Sequence, residues 1–149
     1  MADVVKPDSA AAIAALRRSG CEVVLLTGDN QRTAEAIARQ VGVDRVIAQV
    51  LPQDKARCIE DLQKAGRLVA MVGDGVNDSP ALSEADAGIA ISTGAAIARE
   101  IADITVSSED LFALVTLRKL SQALMERIHG SYRFIVGFNL TLIALGVAG

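Results

Sequence analysis

The sequence predicts an α/β fold, a parallel sheet with helices on both faces, followed by a long C-terminal helix that enters a membrane. Short apolar runs alternate with amphipathic helical segments along the first two thirds of the chain. Glycines and acidic residues directly follow several of these runs. The last third has no strand pattern and ends in an uncharged apolar run. Alternation of strands and helices is typical of a parallel sheet.

The composition limits the class of protein. Of the 149 residues, 51% are hydrophobic and 3% are aromatic, and the mean hydropathy is +0.36. These values fit an α/β core or a partly membrane-embedded chain. A net charge of −3 argues against a nucleic-acid surface. Cys21 and Cys58 lack metal-ligand spacing, which favours reduced thiols on the cytosolic side of the membrane.

The first half of the chain predicts two helices and two strands. Pro7 suits the first turn of a helix that stops at Gly20, and a buried strand follows over residues 22–26. Asp29 or Asn30 can cap the next helix, which ends at Gly42. A short strand follows around residues 46–47. Further on, the alternation predicts helices over 53–65, 79–84 and 95–101 and strands over 68–72, 88–91 and 103–106.

The last third of the chain predicts one helix that leads into the membrane. We expect an amphipathic juxtamembrane helix over 110–133, and the apolar residues 134–149 carry no charge. A complete span needs about 20 apolar residues, so we interpret this run as a truncated transmembrane helix. A core helix of a soluble domain is the alternative. A basic cluster precedes the run and places residues 1–133 on the cytoplasmic side, and its members are Arg118, Lys119, Arg127 and Arg133.

The loop from Gly73 to Asp78 is the most informative motif. It follows the strand 68–72 and brings two carboxylates and an amide to a strand end, where open α/β sheets bind ligands. Gly73 and Gly75 allow a tight turn and a close approach to a bound group. Carboxylate oxygens suit Mg²⁺, usually together with a phosphate. The loop therefore predicts phosphoryl chemistry.

Two further segments can bind phosphate. Thr27, Gly28 and Asp29 follow a strand and open a helix, where a hydroxyl, a backbone amide and a helix N-terminus can hold phosphate oxygens. A surface turn with a capping aspartate would look similar. Lys55 begins a later helix and could reach a phosphate as a point charge, although a lone lysine in that position is usually just solvated.

The order of these residues resembles the haloacid dehalogenase superfamily. A threonine after one strand, a lysine at a helix start and an aspartate pair after the next strand match three of its four components. A closer resemblance is to the phosphorylation domain of P-type ATPases, in their heavy-metal-transporting branch. It covers nearly the whole chain and is carried by the segments 26–30, 52–55, 71–82, 85–90, 102–103, 127–128, 132–134 and 138–139. The fold it implies is a Rossmann-like, haloacid dehalogenase-like sheet that is incomplete here.

The resemblance implies a role for each residue of the aspartate loop. Asp74 would coordinate Mg²⁺, and Asp78 would support that metal site as a further or outer contact. Asn77 would donate a hydrogen bond to a phosphoryl oxygen. We interpret Asp86 and Asp103 as caps of a turn and a strand end, which is a structural role and not a catalytic one.

The resemblance also implies roles in binding ATP, the nucleotide of the complete protein. Thr27 and the amide of Gly28 would hold phosphoryl oxygens. Lys55 would neutralise charge in the transition state, and Asp29 would position the nucleotide or the attacking water. Asn139, in the apolar run, is expected to contact the transported ion or, equally, to form an interhelical hydrogen bond.

The sequence departs from the family pattern at the nucleophile. P-type ATPases form an aspartyl phosphate in an Asp-Lys-Thr-Gly-Thr segment, which this sequence lacks, as it lacks the actuator Thr-Gly-Glu and a Cys-Pro-Cys metal site. We therefore expect a partial phosphorylation domain at 1–109, inactive alone, that acts with missing upstream domains of a multi-pass pump in a plasma or inner membrane. Its partners would be ATP, a transition-metal cation and lipid. The alternatives are a soluble phosphatase of the same superfamily or a non-catalytic Mg²⁺-binding fragment.

Overall fold

The protein divides into two compact units, Met1–Ala113 and Leu114–Gly149. The structure is a computed structural model that describes residues 6–75, 77–91, 100–106 and 111–148. The predicted helix over 95–101 lies mostly outside the described residues. Two other positions are also outside them: Asp110, where the long helix was predicted to begin, and Val76 of the aspartate loop.

The elements follow the predicted alternation. The helices are α1 (Pro7–Arg18), α2 (Gln31–Val41), α3 (Lys55–Lys64), α4 (Ser79–Glu84) and α5 (Phe112–Ala148). The strands are β1 (Val24–Leu26), β2 (Arg45–Ile47), β3 (Ala70–Gly73), β4 (Ala87–Ile91) and β5 (Ile104–Val106). A 3-10 turn, Pro52–Asp54, directly precedes α3.

All strand pairs among the described residues are parallel, which confirms the predicted sheet type. β1 pairs with β2, and Val24 lies opposite Arg45. β4 lies between β3 and β5 in the other group of strands. The strands therefore form two separate sheets within the described part of the chain, where the sequence predicted a single one.

Helix ends follow local chemistry. The side chain of Asn30 accepts a hydrogen bond from the backbone N–H of Thr33 at 2.9 Å, which caps the N-terminus of α2. Gly42 ends α2 in the left-handed conformation, with φ of 77°, which a residue without Cβ adopts at little cost. α2 therefore begins directly after the loop that follows β1.

A common core connects the two sheets. Leu26, at the end of β1, packs against the cluster that includes Met71 of β3. Leu82 of α4 is its largest fully buried side chain, with 1% exposure. The other buried members are Ile59, Ala81, Ala85 and Ala90. β1 therefore packs against the core that contains β3, without a hydrogen bond between the two sheets in the described residues.

Asp86 and Asp103 hold strand starts. The backbone N–H of Val69 donates to Oδ2 of Asp86 at 2.7 Å, and that of Gly88 donates to Oδ2 of Asp103 at 2.8 Å. The hydrogen bond from the backbone of Val69, and after it one from the side chain of Gln63, lower the pKa of Asp86 below its usual value. These contacts agree with the structural roles favoured by the sequence.

The second unit is dominated by α5. The two predicted segments, 110–133 and 134–149, are joined in one continuous helix from Phe112 onwards. By length and composition alone, Phe112–Val147 could cross a membrane, because its most apolar window has a mean hydropathy of 1.3. None of that window is buried within the structure. Asn139 lies on this helix and is exposed.

Candidate phosphate and metal site

The loop after β1 forms a compact hydroxyl and carboxylate turn. The hydroxyl of Thr27 donates to Oδ2 of Asp29 at 3.1 Å and accepts from the backbone N–H of Asp29, also at 3.1 Å. These bonds keep the threonine oxygen and the carboxylate together at the start of α2. Gly28 and Asp29 are exposed, so this turn is accessible to a ligand.

The segment after β2 fixes this loop from the side. The backbone N–H of Val50 donates to the carbonyl of Thr27 at 3.1 Å, and that of Gln49 donates to the carbonyl of Asp29 at 2.8 Å. A Cβ atom on Gly28 would lie 3.2 Å from the carbonyl oxygen of Val50, which is a tight contact. Glycine at position 28 therefore permits the close approach of the two segments.

A partly buried ion pair connects two of the predicted site residues. Nζ of Lys55, the first residue of α3, lies 2.6 Å from Oδ1 of Asp78, the residue before α4. The two side chains are only 16% and 14% exposed. Lys55 follows the strand of one sheet and Asp78 follows a strand of the other. The pair therefore joins the two halves of the site at the carboxyl ends of the strands.

The aspartate loop is held by its own backbone. The N–H of Asn77 donates to Oδ1 of Asp74 at 3.2 Å, and the hydroxyl of Ser79 donates to the carbonyl of Gly75 at 2.8 Å. Asp78 lies against the backbone of Gly73, because a Cβ atom there would be 2.8 Å from Oδ2 of Asp78. A side chain at position 73 would displace the carboxylate that pairs with Lys55.

The residues present fit a Mg²⁺ ion that is bound mainly by water and phosphate. Within the described ranges there is no group of three or more His, Cys, Asp and Glu side chains that could hold a metal by themselves. Mg²⁺ is usually held by one or two carboxylates together with substrate phosphates and waters. Asp74 is exposed on the loop, and Asp78 has a second oxygen besides the one that meets Lys55.

The structure brings the predicted residues together in three small groups. Thr27 bonds Asp29, Lys55 bonds Asp78, and Asp74 bonds the backbone of Asn77. Sequence reasoning missed the contribution of Gln49 and Val50, which brace the threonine loop. No residue pattern signalled it, because backbone hydrogen bonds between distant segments cannot be read from residue types alone.

Fold and site together define an α/β domain that presents hydroxyl, ammonium and carboxylate groups at its strand ends. The sequence model of the haloacid dehalogenase-like hydrolases matches residues 1–86. The chain belongs to the haloacid dehalogenase-like hydrolase family.

The chain also resembles curated proteins that form a narrower group than that family. The chain is 48% identical over 147 residues to a copper-transporting P-type ATPase of Rhizobium leguminosarum bv. viciae, covering 99% of this chain and 17% of that protein. It is also 48% identical over 149 residues to a copper-exporting P-type ATPase of Staphylococcus epidermidis, covering 100% of this chain and 19% of that protein. The chain thus spans about a fifth of the length of these curated relatives.

Solved structures agree with this resemblance. A crystal structure of a zinc-transporting PIB-type ATPase matches with a TM-score of 0.77 and 38% identity, over 85% of this chain and 21% of that chain. The catalytic domain of the CPx-ATPase CopB-B matches with a TM-score of 0.69 and 33% identity, over 78% of this chain and 47% of that chain. These matches confirm the predicted fold class and the resemblance to heavy-metal P-type ATPases.

Proposed function

We propose that this chain is the part of an ATP-driven heavy-metal pump that supplies the Mg²⁺-binding and phosphate-binding residues for formation and hydrolysis of an aspartyl phosphate. The ion pair between Lys55 and Asp78 is the observation that carries the proposal, because it places a cation and a carboxylate together at the strand ends. The similarity to copper and zinc pumps supports a transition-metal cation as the transported ion.

Each residue has a role that its local contacts support. Asp74 and the second oxygen of Asp78 would hold Mg²⁺, which when bound offsets the negative charge of the phosphoryl group. Lys55 is kept beside Asp78 and would neutralise charge that develops on the phosphoryl oxygens. Asn77 would donate to one of those oxygens. Preorganised donors of this kind are each worth about 10²–10³ in rate.

The threonine loop would bind the phosphoryl group from the other sheet. Thr27 and the amide of Gly28 would hold phosphoryl oxygens, and Asp29 would position the nucleotide or the attacking water. The carboxylate of Asp29 already orients the hydroxyl of Thr27. The loop would therefore bind the transferred group with little reorganisation.

The nucleophile would come from a strand outside this sequence. No Asp-Lys-Thr-Gly-Thr segment occurs in the 149 residues. The sheet that contains β1 and the sheet that contains β3 share a core, but no hydrogen bond joins them in the described residues. This arrangement is expected if a further strand belongs between them. We propose that a strand bearing the nucleophilic aspartate fits there and that the isolated chain forms no phosphoenzyme.

We propose that the uncharged part of α5, from Phe134 onwards, lies in the membrane and that residues 1–133 are on its cytoplasmic side. Basic residues of α5, among them Arg127 and Arg133, precede its uncharged part, which supports this orientation. Asn139 is then a polar group within the span that contacts the transported ion or a neighbouring helix.

A chimera tests the proposed function. This chain replaces the matching segment of the Staphylococcus epidermidis copper pump, and acid-stable phosphoenzyme is measured with ATP, Mg²⁺ and copper. We expect the chimera to be phosphorylated, Lys55→Met to lower the rate about 10²-fold, and Lys64→Met on the same helix to have no effect. The isolated chain should incorporate no phosphate.

Two results would contradict the proposal. One is a chimera that reaches the membrane at normal levels and is not phosphorylated by ATP. The other is phosphate incorporation by the isolated chain that is lost when Asp74 or Asp78 is changed to asparagine, because one of these aspartates would then be the nucleophile.

A further inference from the structure

Gln49 has an unusual backbone conformation beside the threonine loop. Its φ is 58°, and among the described residues it is the only non-glycine residue with a positive φ. Glycine adopts this left-handed conformation freely, whereas a side chain with a Cβ atom is strained there. Strained residues of this kind cluster at active sites and ligand clamps, where the surrounding structure maintains them.

The surrounding structure holds Gln49 firmly. Its backbone N–H donates to the carbonyl of Asp29 at 2.8 Å, and the next N–H, of Val50, donates to the carbonyl of Thr27 at 3.1 Å. The side chain of Val50 is buried, with 8% exposure. The left-handed turn at Gln49 therefore fastens the segment after β2 to the loop proposed to bind phosphate.

The side chain of Gln49 takes no part in this bracing. Residue 49 is exposed, and its amide group makes no hydrogen bond within the described ranges. A glycine would give the same turn without strain, so the backbone does not require glutamine. The amide can both donate and accept hydrogen bonds, and it stands on a rigid backbone at the exposed edge of the site.

We propose that the amide of Gln49 hydrogen-bonds the nucleotide outside its transferred phosphoryl group, at a hydroxyl or phosphate oxygen. This inference rests on the proposed function. In that proposal, Thr27, Gly28 and Lys55 bind the transferred phosphoryl group. The backbone of Gln49 is bonded to that of Asp29, at the exposed end of the same loop, and residue 49 is itself exposed. Residue 49 is therefore a neighbour of the loop on which we propose that the rest of the nucleotide lies.

The test compares two phosphate donors in the chimera. Gln49→Gly removes the amide and relieves the strained turn, and Gln49→Asn keeps an amide in a residue type that tolerates a left-handed φ. Phosphoenzyme is titrated with ATP and, separately, with inorganic phosphate. Gln53→Ala, at a nearby exposed glutamine, is the matched control. Thermal stability of each variant is measured in parallel.

We expect Gln49→Gly to raise the half-saturating ATP concentration about 3-fold to 10-fold, as the loss of one neutral hydrogen bond does. Its titration with inorganic phosphate should be unchanged and its thermal stability unchanged or higher. Gln49→Asn should recover part of the ATP affinity, and Gln53→Ala should behave as the unsubstituted chimera.

Two outcomes would overturn the inference while leaving the proposed function in place. An unchanged ATP titration in Gln49→Gly would show that the amide contacts no nucleotide. Equal losses with ATP and with inorganic phosphate would assign Gln49 a role in shaping the phosphate loop instead. An unsubstituted chimera that neither donor phosphorylates would refute the proposed function and, with it, this inference.

Discussion

The ion pair between Lys55 and Asp78 should contribute measurably to stability as well as to chemistry. Lys55→Met keeps an unbranched side chain that is one atom shorter and leaves the carboxylate of Asp78, which is 14% exposed, without its cation. Exposed pairs contribute about 0–1 kcal/mol, and breaking a fully buried pair costs about 3–5 kcal/mol. With both side chains mostly buried, we expect a loss of about 2 kcal/mol in the free energy of unfolding.

A double-mutant cycle separates the pair from other effects of each substitution. Lys55→Met, Asp78→Asn and the double variant are compared with the unsubstituted chain by thermal denaturation in detergent. Far-UV circular dichroism is the suitable signal, because the sequence has no tryptophan. A loss of about 2 kcal/mol corresponds to about 10 °C for a domain of about 100 residues. The coupling energy should be about 1–2 kcal/mol.

The second ion pair of α3 provides a matched control. Nζ of Lys64 lies 2.7 Å from Oε1 of Glu60, and these side chains are 67% and 47% exposed. Lys64→Met should lower the melting temperature only slightly, because exposed pairs at this helical spacing contribute little. A coupling energy near zero between Lys55 and Asp78, or an equal effect of Lys64→Met, would refute the reasoning.

Three further predictions concern the fold. Gly88→Ala should destabilise the chain by about 1–3 kcal/mol, measured by the same melts, because a Cβ atom there meets the carbonyl oxygen of Leu82. Asp86→Asn should abolish part of the acid sensitivity of unfolding. Because the pKa of Asp86 is lowered in the folded chain, its ionised carboxylate stabilises the fold at pH values above the pKa of an ordinary aspartate, and this stabilisation is lost as pH falls below about 4. If the variant unfolded with the same dependence on acid pH as the unsubstituted chain, this prediction would be contradicted. The chain should need detergent to stay monodisperse, since α5 exposes an apolar surface, and monodispersity in plain buffer would count against a membrane helix.

Element types were predictable from the sequence because their signals are local. Asn30 and Gly42 mark the ends of α2, and the predicted boundaries of α4 agree with the structure at Ser79 and Glu84. Strands were predicted one or two residues too long at some ends, as in β3, which begins at Ala70 where the prediction began at Leu68. Flanking apolar residues extend a strand pattern beyond the residues that find a hydrogen-bonding partner.

The division into two sheets was not predictable in the same way. Hydropathy reports that a strand is buried and does not report which strand lies beside it. β1 and β3 both follow the pattern of buried strands, yet they are not hydrogen-bonded to each other in the described residues. Strand pairing depends on contacts between distant segments, and one of the segments proposed for this domain is not in the sequence.

The site shows the same contrast between residue type and geometry. Residue order predicted that a lysine and two aspartates belong to one site, and the contact between Lys55 and Asp78 agrees with that interpretation. It also changes how Asp78 is understood, because Lys55 already engages one of its oxygens and only the other would remain for Mg²⁺. Asp74 is then the principal metal ligand of the proposal. Asp78 acts on both the metal and Lys55, so its substitution should impair Mg²⁺ dependence and charge neutralisation together, whereas Asp74→Asn should impair the first alone.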